Sequence, residues 1–259
     1  MRIMWMIALW GMACLVPAAS QQVVTIEQAR ERLARLDAEI AASAAPAPLY
    51  VRRGNYHLEL LEFDQALADF NKALALDPGQ DHAHFGRGLA LGRMGELDGG
   101  IAALTTFIEL HPDNAAAYTK RGVRYLWAGN DAAAEHDLSR ALALDASSAE
   151  AHDDIGVVFA RRGDYGRAIY HFTRTVTLDP TYLKGFHNLG MAYYLSERDS
   201  LALDSVERAL ALNPQQRNTL LLKAQILRST GQLEEAARVA EEAEFLPPSG
   251  DWSEQVPVQ

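Results

Sequence analysis

The chain has almost no cysteine, no long hydrophobic run and too few cations for its acids. One cysteine among 259 residues, Cys14, excludes an internal disulfide. Lys and Arg number 24 against 34 Asp and Glu, a formal charge of −10. The cationic footprint that nucleic-acid binding requires is therefore missing. The longest apolar stretch, residues 3–16, spans 14 positions. At about 1.5 Å per residue it falls short of a hydrocarbon core of about 30 Å. With 10 Pro and 18 Gly the chain is not low-complexity, and 49% hydrophobic with 22% charged residues is globular composition.

The first twenty residues read as a secretory signal peptide. Arg2 supplies the charged start, residues 3–16 the apolar region, and Ala18-Ala19-Ser20 the small residues before a cut after Ser20. That implies export, to a periplasm if the source is bacterial, and a mature chain without a thiol. A lipid anchor at Cys14 is the alternative, with Gly11-Met12-Ala13 ahead of it as a faint lipoprotein box. Thr25 and Gln28 make a capping-box pattern, and Ile26, Ala29, Leu33, Leu36 and Ile40 form one apolar stripe. This predicts a helix over 26–42 and a linker to residue 46. The stripe either caps the unit that begins at residue 47 or pairs with a second copy.

Three ladders share one spacing. Pro78 and Pro112 are 34 residues apart, as are Pro180 and Pro214; Ala146 takes the missing step and Pro248 continues the series. Gly54, Gly88, Gly122, Gly156 and Gly190 keep the same interval, with Ala224 sixth. So do Ala66, Gly100, Ala134, Ala168, Ala202 and Ala236. A fixed period of this length signals stacked repeats. Each unit reads as two amphipathic helices, in the fourth about 149–162 and 165–178 around Gly163-Asp164. The recurrent Gly and Ala let paired helices approach closely. Gly100 on a second helix costs about 1 kcal/mol of helix stability, and Ala146 in place of Pro predicts a less sharply bent join.

These residues resemble the tetratricopeptide repeat (TPR) family. The pattern is clearest in the fifth unit, where Phe186, Leu189, Gly190, Tyr193, Ala202, Ala209 and Pro214 fall in register. The resemblance implies an all-α, right-handed superhelical solenoid of six helix hairpins (47–80, 81–114, 115–148, 149–182, 183–216, 217–250). The helix at 26–42 precedes it, and a tail without regular structure comes after it at 251–259. It implies a protein-binding module resembling the exported adaptors of the bacterial envelope.

No HExxH, GxSxG, Gly-rich phosphate loop or cysteine pair is present, so no catalytic, cofactor or metal site is expected. His84 and His152 stand where Tyr50 and Tyr118 occupy an aromatic slot. His82 and His84 point to different helix faces, and Asp153 and Asp154, being consecutive, also diverge. The family's groove positions make Phe85, Leu89, Val123, Trp127, Val157, Met191 and Tyr194 an apolar stripe on the concave side. Arg93, Lys120, Asp153, Arg161 and Lys184 rim it. Such a stripe fits an extended or helical segment of another protein. A clamp for a C-terminal carboxylate is not expected, because the first lysine of that pattern is absent. A self-assembling dimer, or an outer-membrane lipoprotein serving envelope, pilus or secretion assembly, is the alternative.

Overall fold

The computed structural model describes residues 26–247. The segment expected to be a signal peptide, Cys14, Thr25 and residues 251–259 lie outside them. The described residues form thirteen α-helices and no strand. A leading helix, α1 (Ile26–Ala42), precedes six hairpins: α2 (Ala47–Glu59) with α3 (Phe63–Leu76), α4 (Asp81–Arg93) with α5 (Leu97–Leu110), and α6 (Ala115–Trp127) with α7 (Asp131–Leu144). Then come α8 (Ala149–Arg161) with α9 (Tyr165–Leu178), α10 (Leu183–Leu195) with α11 (Asp199–Leu212), and α12 (Arg217–Ser229) with α13 (Leu233–Glu244). Each helix packs chiefly on its chain neighbours, and each first helix also touches the first helix of the next hairpin. That is the quasi-one-dimensional order of a solenoid.

The small residues of the ladders are explained by contact. A Cβ on Gly54 would lie 2.8 Å from the Phe70 ring, on Gly156 2.6 Å from that of Phe172, and on Gly190 2.7 Å from Val206. Gly100 has a packing reason that helix propensity alone does not show. Its missing Cβ would stand 3.2 Å from the Gly88 carbonyl and 3.2 Å from the Gly92 nitrogen, so α4 and α5 meet backbone to backbone.

A fourth ladder lies in the turns between paired helices. Leu61, Gly95, Gly129, Gly163, Glu197 and Gly231 all take positive φ, from 60° to 83°. Glycine enters that region freely; Leu61 and Glu197 do so at a steric cost of about 1–2 kcal/mol each. Between hairpins the chain closes on side-chain oxygens. Asp77 Oδ1 accepts from Gly79 N at 3.0 Å, Asp179 Oδ1 from Thr181 N at 2.9 Å and Asn213 Oδ1 from Gln215 N at 3.0 Å. Asp145 does the same with Ser147 N at 2.9 Å. With φ −140° and ψ 93° it matches Asp179 at −130° and 94°. The local turn beside Ala146 therefore matches the one at the proline-bearing join, and the aspartate side chain sets it.

The N-terminal stripe caps the first hairpin. Leu36 is buried, Leu33 and Ile40 half-buried, and α1 packs on α2. Arg53 fastens the corner, donating to Asp69 Oδ2 and Oδ1 at 2.8 and 2.6 Å and to Asp37 Oδ1 at 2.5 Å. The bidentate bond to Asp69 leads the causes that raise the Arg53 pKa. The same fork recurs two repeats on, where Arg121 grips Asp137 at 2.6 and 2.9 Å.

Candidate partner-binding groove

The first helices of five hairpins wall a cavity of about 410 Å³. Leu58, Leu61 and Phe63 enter from the first hairpin, Leu89 and Arg93 from α4. Helix α6 supplies Lys120, Val123, Arg124 and Trp127; beyond it come Glu150 and Asp154 of α8, Tyr182, and Lys184 of α10. The contributing positions slide from the end of α2 to the start of α10. Superhelical twist thus lays the cavity obliquely across the helices.

That obliquity sorts the seven expected anchors. Leu89, Val123 and Trp127 share the cavity wall. Val123, however, is only 6% exposed, so it is a core residue showing one edge. Phe85 does not line the cavity; its ring packs 5.1 Å from Phe107 among Ile108, Ala117 and Tyr118. Val157 packs half-buried on the core around Ile155 and Phe172. Met191 and Tyr194 pack against Val206 and Ile226 farther along the array. Arg161 is also off the cavity, donating to Leu126 O at 2.9 Å. Applying one set of repeat positions to every unit missed Leu58, Leu61, Arg124 and Asp154, because that rule takes the groove as parallel to the stack.

Asp153 and Asp154, though they leave α8 in different directions, meet at one lysine. Lys184 Nζ lies 2.9 Å from Asp153 Oδ2 and 3.6 Å from Asp154 Oδ1, and Asn188 Nδ2 donates to Asp153 Oδ1 at 2.8 Å. Both aspartates are buried. Adjacent residues on a helix differ by about 100° in direction, but a lysine arriving from the next first helix reaches both. Burial pushes the Asp154 carboxyl up to about 7, against the pull of Lys184 and with help from Asp153 and Glu150. Burial alone would lower Lys184, and the two aspartates overcome it and raise its pKa. Burial likewise raises the Tyr182 phenol, with Asp153 adding to it.

Arg124 is 4% exposed. Its guanidinium lies 5.0 Å from the Trp127 ring and donates from Nη2 to Leu89 O at 3.3 Å. Desolvation, with Arg93 adding to it, lowers its pKa to about 10. Lys120 pairs with Glu150.

Two histidines, His152 and His171, pack on one another in the fourth hairpin. His152 is buried, its Nε2 3.3 Å from Ala146 O and its Nδ1 2.9 Å from His171 Nδ1. Burial, then the neighbouring His152, lowers His171 to about 4. Among the described residues no group of three or more His, Cys, Asp or Glu could hold a metal ion. None of their helices is long and apolar enough to cross a membrane.

Stacked hairpins at a 34-residue period, a glycine at five of the six close crossings with Ala224 at the sixth, and a concave cavity define a TPR solenoid. Sequence models of the tetratricopeptide repeat match residues 47–80, 86–133, 120–182 and 188–251. The chain belongs to the tetratricopeptide repeat family. Among solved structures it is similar to the Cut9 and Hcn1 hetero-tetramer of APC/C, at 22% identity and TM-score 0.77, over 87% of this chain and 45% of that one. It is also similar to YrrB, described as a TPR protein with an unusual peptide-binding site, at 23% identity and TM-score 0.55, over 61% of this chain and 92% of that one. A curated relative, the Protein SGT1 homolog of Oryza sativa subsp. japonica, is 42% identical over 65 residues, 25% of this chain. The chain spans 18% of that relative's length. Proteins of this family generally mediate contacts between proteins on a scaffold that is typically non-enzymatic.

Proposed function

We propose that the protein is a non-enzymatic adaptor that holds a segment of another protein in the oblique concave cavity. The observation that carries this reading is Leu61. It is held in left-handed backbone at φ 61°, 63% exposed, on the wall of the cavity. A strained, solvent-facing leucine is what a fold keeps for a contact rather than for its own stability. Leu58, Leu89 and Trp127 extend the apolar surface beside it. The anchors are accordingly Leu58, Leu61, Leu89 and Trp127. We further propose export to the cell envelope, with cleavage after Ser20.

The test is site-specific photo-crosslinking in the cells of origin, with the photoreactive residue at Leu61. Tyr170, 60% exposed on α9 and outside the cavity wall, serves as control. One heterologous polypeptide captured at Leu61, absent at Tyr170 and lost on Leu89→Glu, is the expected result. Adducts equal at both positions would remove the groove. N-terminal sequencing of the mature protein checks the address: a start at Gln21 is expected, and a lipid-modified Cys14 would replace the cleavage proposal.

A further inference from the structure

We infer that the cavity seats the carboxylate side chain of an acidic residue within the partner's apolar segment, received by Arg124 in the wall with Arg93 at the rim. This deepens the groove reading and rests on it. Charge is unevenly balanced over the cavity wall. Of its four cations, Lys120 is matched by Glu150, while Lys184 is matched by Asp153 and reaches Asp154. Arg93 and Arg124 have no carboxylate within 4 Å among the described residues. Arg93 lies over the Phe63 ring at 5.7 Å. Arg124 makes one hydrogen bond, to Leu89 O, and its buried Nε has no acceptor.

Room for this guanidinium comes from Gly92, where a Cβ would stand 2.1 Å from Nε. A guanidinium withdrawn from water for one carbonyl bond is costly in the free protein, and the cost falls when an anion arrives. Its planar fork matches a carboxylate. In a chain of charge −10, two unmatched arginines on the concave face favour an acidic ligand by complementarity. Leu58, Leu89 and Trp127 around them require the flanking residues to be apolar.

Asp154 regulates the seat. Its Oδ2 is buried without a hydrogen-bond partner. The groups acting on it are Lys184, Asp153, Glu150 and Lys120, and its charge in turn bears on Arg124 and Tyr182. Ionised, it repels an arriving carboxylate; protonated, it does not. Burial in the cavity wall, with Oδ2 unbonded, pushes this carboxyl above the ordinary carboxylate range, so the seat tightens as the pH falls.

The experiment is peptide display on the full chain, then titration of the recovered peptides. Recovered sequences should carry Glu or Asp between apolar residues. The Gln or Asn twin of a recovered peptide should bind wild type about tenfold more weakly. On Arg124→Gln the peptide and its twin should bind alike. Arg93→Gln, at an exposed site, repeats the comparison should Arg124→Gln unfold, with a loss of about threefold expected. Wild-type affinity for the acidic peptide should rise between about pH 8 and pH 6, and Asp154→Asn should abolish the rise.

Peptides that lose binding on Leu89→Glu but show no acidic preference would overturn the carboxylate seat and leave the groove standing. So would an acidic preference that survives Arg124→Gln and Arg93→Gln unchanged. A pH-independent wild type would overturn the role given to Asp154. Recovery of no peptide, or of peptides indifferent to Leu89→Glu, would remove the groove and the seat together.

Discussion

At single side chains, the cavity wall holds ionisable groups in states that water would not favour. Asp154 illustrates the consequence for stability. Its folded pKa, about 7, lies above the ordinary carboxylate value, so the folded state keeps a proton that the unfolded chain releases. Its contribution is fully present below the unfolded pKa and is lost as the pH rises through about 7. His171, lowered to about 4, works the other way and only in acid. His84 and His152 are lowered too, so all three histidines favour the folded state as the pH rises through their unfolded value and oppose Asp154. The Asp154 effect is therefore read as the difference between the wild-type and Asp154→Asn melting profiles: the wild type should lose stability relative to the variant as the pH rises from about 5 to about 7.5. Leu61 makes a second prediction at this scale. Leu61→Gly should release strain of about 1 kcal/mol and raise thermal stability while weakening capture of the partner. Glu197→Gly, relaxing the equivalent turn away from the cavity, should stabilise without touching capture.

At helices and their pairings, two devices repeat. The first is close approach at glycine. Gly156→Ala should cost about 1–3 kcal/mol by driving a methyl into the Phe172 ring, measured by chemical denaturation. Phe172→Leu should restore part of that loss. Gly163→Ala, with nothing within 4 Å of its Cβ, should lose about 1 kcal/mol through φ alone. The second is the arginine fork. Arg121→Leu leaves Asp137, 1% exposed, without its cation, and should cost about 3–5 kcal/mol. Adding Asp137→Leu should recover much of it, because the unpaired buried charge, not the missing bond, carries most of the penalty.

For the solenoid as one body, neighbour contacts dominate and its ends are special. Helix α1 closes the N-terminal end through Leu36 and the Arg53 corner. Removing residues 21–46 should raise hydrogen exchange in α2 and α3 well above that in α8 and α9, as a cap's loss is felt first by the repeat it covers. A deletion that leaves exchange uniform but dissociates a dimer would instead assign α1 to self-assembly. The same body twists, and the twist carries the cavity from the end of α2 to the start of α10.

The primary structure determined the period, the hairpins and the small residues at their crossings, because those depend on contacts within about one repeat length. It also placed Leu89 and Trp127 on the concave side. Which charges meet was decided elsewhere. Lys184 joins Asp153 and Asp154 from a neighbouring hairpin, and Arg124 enters a space opened by Gly92 on the preceding one. Repeat positions describe a single hairpin, whereas the offset and rotation between hairpins arise from packing summed along the stack. That summation turned the groove oblique, buried Val123, packed Phe85 half-buried against Phe107 and left Arg124 with no carboxylate within 4 Å among the described residues.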